Sequence, residues 1–249
     1  GNMLAGVAPF GIETGLIAAH DGETRVMSYN VNTEARIEAI VQTPGRRMQY
    51  AGNARIDGVP GTAAPIILNF MDVVGSISGK MLPTGHVREM IDDIEVTCID
   101  VAMPMMLMRA TDLGLTGTED RAAFAANKAL FQRIEPIRRD AGRRMGFGDV
   151  TDKVIPKIGI LSPPRDGGTI TSRYLTPHAL HAAHAVTGAV CLATACALEG
   201  SIAHELATPD GHNPRTVWIE HPSGKVDVRL ETTGKGADMQ VVAGTLRTA

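Results

Sequence analysis

The sequence predicts an α/β (α+β) chain of two pseudo-symmetric domains, each a strand-rich sheet wrapped around a central helix. Three observations carry this expectation. A helix, a turn and a strand hairpin follow one another over residues 1–43 and again over 177–232. Both helices of that repeat are apolar on nearly every face, as a helix enclosed by strands must be. Between the two copies, strands alternate with one long helical segment. Duplicated units of this kind commonly pack about a pseudo-dyad, which would set the two helix N-termini face to face across a cleft.

The elements follow in order. Residues 3–17 carry Leu4, Ala5, Val7, Ala8, Ile12 and Leu16 and read as a helix buried nearly all round, kinked by Pro9, with Gly1 and Asn2 at its N-terminus. Residues 24–31 and 34–43 alternate as strands, joined through Asn32-Thr33 into a hairpin that Pro44-Gly45 ends. The Gly- and Pro-rich residues 56–65 form an ordered connection into a strand at 65–70. The turn-rich stretch 78–85 leads to a boundary near residue 90, so the expected units are 1–90, the remainder of an N-terminal domain, and 91–249, a C-terminal domain. Strands follow at 94–100 and 104–109, then a long helix over 119–144 that Pro136 breaks or kinks. Its charged face, Arg133, Glu135, Arg138, Arg139, Arg143 and Arg144, is most simply solvated. Strands at 154–161 and 169–174 precede a second long apolar helix over 177–206, with Pro177 in its first turn. A last hairpin, 216–220 with 226–231, turns at Pro222-Ser223-Gly224.

Composition narrows the function. The 249 residues are 44% hydrophobic and 20% charged, which suits a globular protein and excludes intrinsic disorder. Basic and acidic residues, 24 against 27, leave a net charge of −3 with no basic stripe of the kind nucleic-acid binding requires. No apolar stretch reaches bilayer-spanning length, and the opening residues do not follow a signal pattern; a cytoplasmic location is expected, without membrane contact. Cys98, Cys191 and Cys196 form neither a CxxC pair nor an even disulfide set, which favours a reducing compartment and no thiolate zinc. The opening at Gly1-Asn2-Met3 inside an apolar pattern, and the close at Arg247-Thr248-Ala249 after a strand, raise the expectation of a fragment at both ends.

The chemistry follows from the helix ends. Unpaired N–H groups and the positive end of the dipole bind carboxylate or phosphate there, and stabilise an enolate as it forms. Gly1-Asn2 suits this role or that of an ordinary cap. His178, His181 and His184 stand three apart at the expected start of the second helix, but no acidic partner completes a metal set nearby, which leaves capping, ligand hydrogen bonding or plain packing. Arg173, just before, would clamp a carboxylate or make a surface ion pair. The three thiols read as packing residues. Ser78-Gly79-Lys80 is not a phosphate-binding Walker motif, and GxGxxG, HExxH and GxSxG are absent.

Residues 1–10 (Gly1-Asn2-Met3-Leu4-Ala5-Gly6-Val7-Ala8-Pro9-Phe10), 56–66 (Ile56-Asp57-Gly58-Val59-Pro60-Gly61-Thr62-Ala63-Ala64-Pro65-Ile66), Leu82-Pro83-Thr84-Gly85 and Thr97-Cys98-Ile99-Asp100 together resemble the PrpF family. So do Gly148-Asp149-Val150, Pro156-Lys157, Ser172-Arg173 and Arg247-Thr248-Ala249, so the likeness covers the whole chain. The resemblance implies a diaminopimelate-epimerase-like fold with its site between two domains. It also implies a cofactor-independent isomerase that runs a 1,3-proton shift on 4-oxalomesaconate in gallate and protocatechuate degradation. Isomerisation of 2-methylaconitate, or non-catalytic polycarboxylate binding, are the alternatives. The family's catalytic Cys directly precedes its Gly-Asn and its catalytic Lys lies further upstream, so catalytic residues are expected before Gly1. What carries over is binding, at Gly1, Asn2, Met3, Thr84, Gly85, Met103, Arg173 and His178, with no metal and no other cofactor. The expected partners are a small polycarboxylate substrate and, in a homodimer, a second copy of the chain.

Overall fold

Residues 2–31, 34–208 and 211–248 are described by a computed structural model of the chain. A 3-10 turn, Asn2–Gly6, leads into α1 (Val7–Glu13). Next come β1 (Gly22–Asn30), β2 (Ala35–Thr43), β3 (Pro65–Phe70), β4 (Glu89–Ile91), β5 (Ile94–Val101) and β6 (Met103–Arg109). The helices α2 (Arg121–Ala126) and α3 (Lys128–Arg144) precede β7 (Lys157–Ser162) and β8 (Ile170–Leu175). The chain closes with α4 (Val186–Ala197), α5 (Ile202–Leu206), β9 (Arg215–His221), β10 (Gly224–Thr233) and β11 (Gln240–Thr248).

These strands form one 11-stranded sheet in the order β1-β2-β3-β11-β10-β9-β8-β7-β6-β5-β4. Neighbours run antiparallel except β6 with β7 and β8 with β9, which are parallel. β3 lies within residues 1–90 and pairs with β11, Ile66 opposite Arg247, so the sheet continues across both expected units.

The sheet curls round α4, which touches β5 and β6 on one side and β9, β10 and β11 on the other. Val186 and residues 188–196 of this helix are buried, as an all-round apolar sequence demands. The outer face of the same sheet packs on α3. Ile99, Val101, Met105 and Leu107 join the α4 core, whereas Cys98, Met106 and Met108 join Leu130, Ile134, Ile137 and Ala141. Strands covered on both faces have no solvated side to mark with polar residues, which is why residues 103–109 read as an almost unbroken apolar run.

Several expectations need correction. The first helix is shorter and more exposed than its composition suggests: Met3 is 91% exposed and Leu16 76%, with Phe10 and Val7 also outward. Gly15, at φ +75, ends it, and Ile17 folds back to donate to the Gly11 carbonyl at 2.9 Å. Pro9 falls in the first turn of α1, where its missing N–H leaves no bond unmade. The hairpin residues Asn32 and Thr33 lie outside the described residues.

The helix over 119–144 breaks at Asn127 rather than at Pro136. Asn127 takes up φ −88, ψ 71, and its side chain accepts the Leu130 N–H, capping α3. Pro136 sits inside α3. An interior proline costs roughly 3 kcal/mol, but the apolar face of α3 buries four large or small hydrophobic side chains, and each large one contributes about 1.5–3 kcal/mol. Arg138 is not solvated: its side chain is wholly buried and spends its donors on Glu135 and on the carbonyls of Val150, Lys153 and Ile155.

Candidate substrate site

The expected second long helix does not begin at Pro177. The chain leaving β8 doubles back on it: Thr176 N–H donates to the Ala179 carbonyl at 3.0 Å and His181 N–H to the Tyr174 carbonyl at 2.9 Å. Those bonds satisfy the backbone without a helix, and α4 starts only at Val186. His178, His181 and His184 therefore do not share a helix face. Residues 198–201 likewise separate α4 from α5, where the Ser201 hydroxyl caps the shorter helix.

This doubled-back segment forms one wall of a cavity of about 290 Å³ lined by Ala5, residues 56–59, His181, Ala183, His184, His221, Val226 and Arg247. The walls hold one another. Ser223, in the β9–β10 turn, donates its hydroxyl to the Ala182 carbonyl at 2.6 Å. Asp57 accepts the Lys225 N–H at 2.8 Å. Gly58 approaches Ser223 so closely that a β-carbon there would lie 2.9 Å from the Ser223 Cβ, and its φ of +84 suits glycine alone.

His184 is neutral, and its tautomer follows from its partners. Its Nδ1 lies 3.1 Å from the Ala185 carbonyl, which only accepts, so Nδ1 carries the proton. Its Nε2 then accepts from the Ser172 hydroxyl, 3.2 Å away. Burial drives its pKa down to about 3, helped by His221, His181 and Arg247 and opposed by the Ala185 carbonyl. The Tyr174 ring packs against it, centroids 4.7 Å apart. His221 is also pulled below the ordinary histidine value, chiefly by burial, although Asp57 and the Lys225 carbonyl act the other way. Arg247 is 8% exposed; burial lowers its pKa while Asp227 raises it.

One residue beyond His184, α4 begins. Its N-cap is Ala185, no side chain caps it, and its first turn carries no acidic residue. The N–H groups of its first residues therefore lack partners within the helix. The first turn lies flat on β8 because residue 188 is glycine, where a β-carbon would stand 2.4 Å from the Tyr174 ring. The cavity thus combines an arginine with imidazoles, and its wall residue His184 directly precedes the N-cap of α4, whose positive end favours a carboxylate and stabilises an enolate. A second cavity, under the exposed Arg36–Asp72 ion pair, offers charges already paired to each other.

The sequence-derived binding residues are dispersed. Gly1 and the Asn2 side chain lie outside the described residues; the Asn2 backbone opens the 3-10 turn from which Ala5 reaches the cavity. Met3 points to solvent. Thr84 and Gly85 form a turn after the buried Met81 and Leu82, and Met103 opens β6. Arg173 is buried in β8, where it donates to the carbonyls of Glu119 at 2.8 Å and Ser172 at 3.3 Å instead of clamping a free carboxylate. His178 is 63% exposed and lies 3.9 Å from the Glu135 carboxylate, on the α3 side of the sheet. None of these described side chains lines the cavity. Asp57, His221 and Arg247 were not assigned a role from sequence, although 56–59 and 247–249 fall inside the segments that carry the family resemblance. The three thiols are buried, and burial pushes each one up, Cys196 to about 12, so none supplies a thiolate.

A curled sheet enclosing one buried helix is the arrangement this chain shares with the solved structures below, a diaminopimelate-epimerase-like fold. The family model described as PrpF protein matches residues 1–249, and the chain belongs to the PrpF family. It is 50% identical over 237 residues to the protein YbhH of Escherichia coli (strain K12), covering 95% of this chain and 67% of that one. It is 48% identical over 250 residues to the (4E)-oxalomesaconate Delta-isomerase of Novosphingobium sp. (strain KA1), covering 100% of this chain and 69% of the relative. The chain therefore spans about two thirds of the length of these relatives. Among solved structures, that of a methylitaconate-delta-isomerase matches at TM-score 0.86 with 28% identity, over 100% of this chain and 70% of the other. A hydroxyproline epimerase from Agrobacterium vitis shares the fold at TM-score 0.55 and 14% identity, over 100% and 64%. Among the described residues, no helix is long and apolar enough to cross a membrane.

Proposed function

We propose that the protein is an isomerase that shifts a proton between carbon atoms of 4-oxalomesaconate, or of a closely similar unsaturated polycarboxylate, without a cofactor. The observation that carries this reading is the cavity where Arg247, His181, His184 and His221 converge, its wall residue His184 lying one position before the uncapped N-terminus of α4. Similarity over the whole chain to a relative named for 4-oxalomesaconate supports the choice of substrate.

The physical problem is the weak acidity of a carbon-bound proton. Removing it places negative charge on the conjugated carbonyl or carboxylate, and that charge must be met as it forms. Helix N–H groups and a buried guanidinium meet it without reorganising, and one such preorganised donor contributes about 3–4 kcal/mol to the transition state. In this reading the chain's own residues bind the dianionic part of the substrate and stabilise the enolate. Cys98, Cys191 and Cys196 do not move the proton, since their thiols stay protonated and buried.

The test is incubation of the full-length protein with 4-oxalomesaconate and, separately, with 2-methylaconitate in deuterium oxide, followed by NMR. Solvent deuterium at the carbon that gains a proton is the expected result. Label in 2-methylaconitate alone would reassign the substrate, and label in neither would refute the isomerase.

A further inference from the structure

We propose that His181 is a substrate-binding residue of this cavity, donating Nε2–H from a neutral imidazole to a carboxylate oxygen. The inference deepens the isomerase reading and rests on it for the nature of the ligand, a di- or tricarboxylate. For His181 the sequence alone leaves capping, ligand hydrogen bonding and plain packing open. The structure gives it a different setting.

Its Nδ1 accepts the Ala183 N–H at 3.1 Å. A nitrogen that accepts a hydrogen bond carries no proton, so in the neutral ring the proton sits on Nε2. The ring is fixed on its other side by an edge-on contact with Tyr174, centroids 6.0 Å apart, and by the His181 N–H bond to the Tyr174 carbonyl. Nε2 has no hydrogen-bond partner among the described residues, and the side chain lines the cavity. The neighbouring turn repeats the device: His221 Nδ1 accepts the Ser223 N–H at 3.2 Å. There the ring is spoken for, since the Lys225 carbonyl lies beside it. The two turns are tied by the bond from Ser223 to Ala182, so the His181 ring is held by its neighbour as well as by its own backbone.

The charges facing His181 agree with an anion in the cavity. Arg247 lines the same space, His184 and His221 are held neutral, and the Asp57 carboxylate is occupied by the Lys225 N–H. Binding through the neutral imidazole also spares the turn. A second proton on His181 would have to displace the Ala183 N–H from Nδ1.

The substitutions that test this follow from side-chain geometry. Asparagine places an acceptor where Nδ1 stands and nothing where Nε2 stands; glutamine places a donor near Nε2 and loses the Nδ1 acceptor. His181→Asn therefore keeps the turn and loses the ligand contact, and His181→Gln does the reverse. The probe is trans-aconitate, an unsaturated tricarboxylate, titrated into the full-length protein by calorimetry, together with KM and kcat for 4-oxalomesaconate. Losing one hydrogen bond to a charged group weakens binding by about tenfold or more. His181→Asn is expected to raise Kd and KM by that factor with kcat changed much less, and His181→Gln is expected to stay within about threefold of wild type. Nitrogen-15 NMR of the histidine rings needs no variant: it should find the Nε2–H tautomer at His181 and a shift of that nitrogen on adding trans-aconitate.

An Nδ1–H tautomer at His181, or wild-type Kd and KM in His181→Asn, overturns the proposal. Equal losses in the Asn and Gln variants assign His181 a structural role and overturn it as well. If trans-aconitate binds and His181→Asn weakens it while no turnover is seen with any substrate, the isomerase reading fails and this inference stands. Failure of the wild-type protein both to bind and to turn over sinks both.

Discussion

Replacing Glu220 by glutamine should destabilise the protein by about 3 kcal/mol, and the size follows from four donors. The Glu220 carboxylate, 7% exposed at the end of β9, accepts the N–H groups of Arg165, Asp166 and Gly168 at 2.9, 2.7 and 2.8 Å and the Thr171 hydroxyl at 2.6 Å. Two of these bonds fall on each oxygen. Glutamine keeps its oxygen on the Asp166 and Gly168 N–H groups and turns its NH2 toward Thr171, whose hydroxyl rotates to accept, and toward the Arg165 N–H, which cannot; that bond, about 1.5–3 kcal/mol, is lost outright and the others lose their charge assistance.

The pH dependence has a definite sign. Burial alone would raise the Glu220 pKa, but the bonds from Thr171, Arg165, Asp166 and Gly168 outweigh it and hold the group below its ordinary 4.5. The unfolded chain therefore takes up the proton first as pH falls. The stabilisation is complete above about 4.5 and drains away as pH drops through the folded value. Urea denaturation of wild type and Glu220→Gln at pH 7 and at progressively lower pH measures this, as does a melting temperature lowered by about 6 °C or more at pH 7. A deficit under about 1 kcal/mol at pH 7, or one that does not shrink in acid, would refute the reasoning.

Arg138→Lys should cost about 2–4 kcal/mol, because a buried lysine has three donors for five acceptor contacts and leaves two of them, among Glu135 and the carbonyls of Val150, Lys153 and Ile155, unmet; chemical denaturation reads the loss. Cys98, Cys191 and Cys196 should resist a water-soluble thiol reagent in the folded protein and react together on denaturation, since burial keeps all three protonated.

What could be read from sequence was whatever depends on local alternation or on burial of a whole element. The hairpins β1–β2 and β9–β10 alternate outward and inward residues, and β2 shows buried side chains at every second position. The near-uniform apolarity of α4 announced enclosure on all sides, and the structure encloses it. The same argument failed for the first helix because α1 ends at Glu13, which puts Leu16 beyond it, and among the described residues no strand covers the face that carries Val7 and Phe10. It failed again over residues 177–185, where helical spacing of His178, His181 and His184 is accidental. Bonds from this stretch back to Thr176 and Tyr174, which no period encodes, decide its path. Arg138 looked solvated because charge on a helix usually is; its acceptors come from a loop at 150–155 that only the tertiary fold supplies.

The same distinction bears on why the proposed anion site is set beside α4 and not at the more glycine-rich loops. The turn at 75–80 clusters N–H and hydroxyl donors much as a phosphate-binding loop does. Buried Asp100 fills it, accepting from Ser76 Oγ at 2.6 Å, Ile77 N at 2.9 Å, Ser78 N at 2.7 Å and Ser78 Oγ at 2.8 Å. Glu119 does likewise for Thr116 and Gly117, and Glu220 for the loop at 163–168. Each of these donor clusters carries its own carboxylate, which organises the loop and neutralises its attraction for any other anion. The first turn of α4 is built differently: no acidic residue stands in it, no side chain caps it, and His184, which precedes it, is held neutral. A positive helix end with no acidic residue in its first turn is stabilised by a carboxylate brought from outside, even though Asp57 lines the neighbouring cavity with its carboxylate accepting the Lys225 N–H. On this account, placing one inside should abolish the need for the substrate's carboxylate and with it the affinity, which is why the identity of residues 184 and 185 matters more to this reading than the helix they introduce.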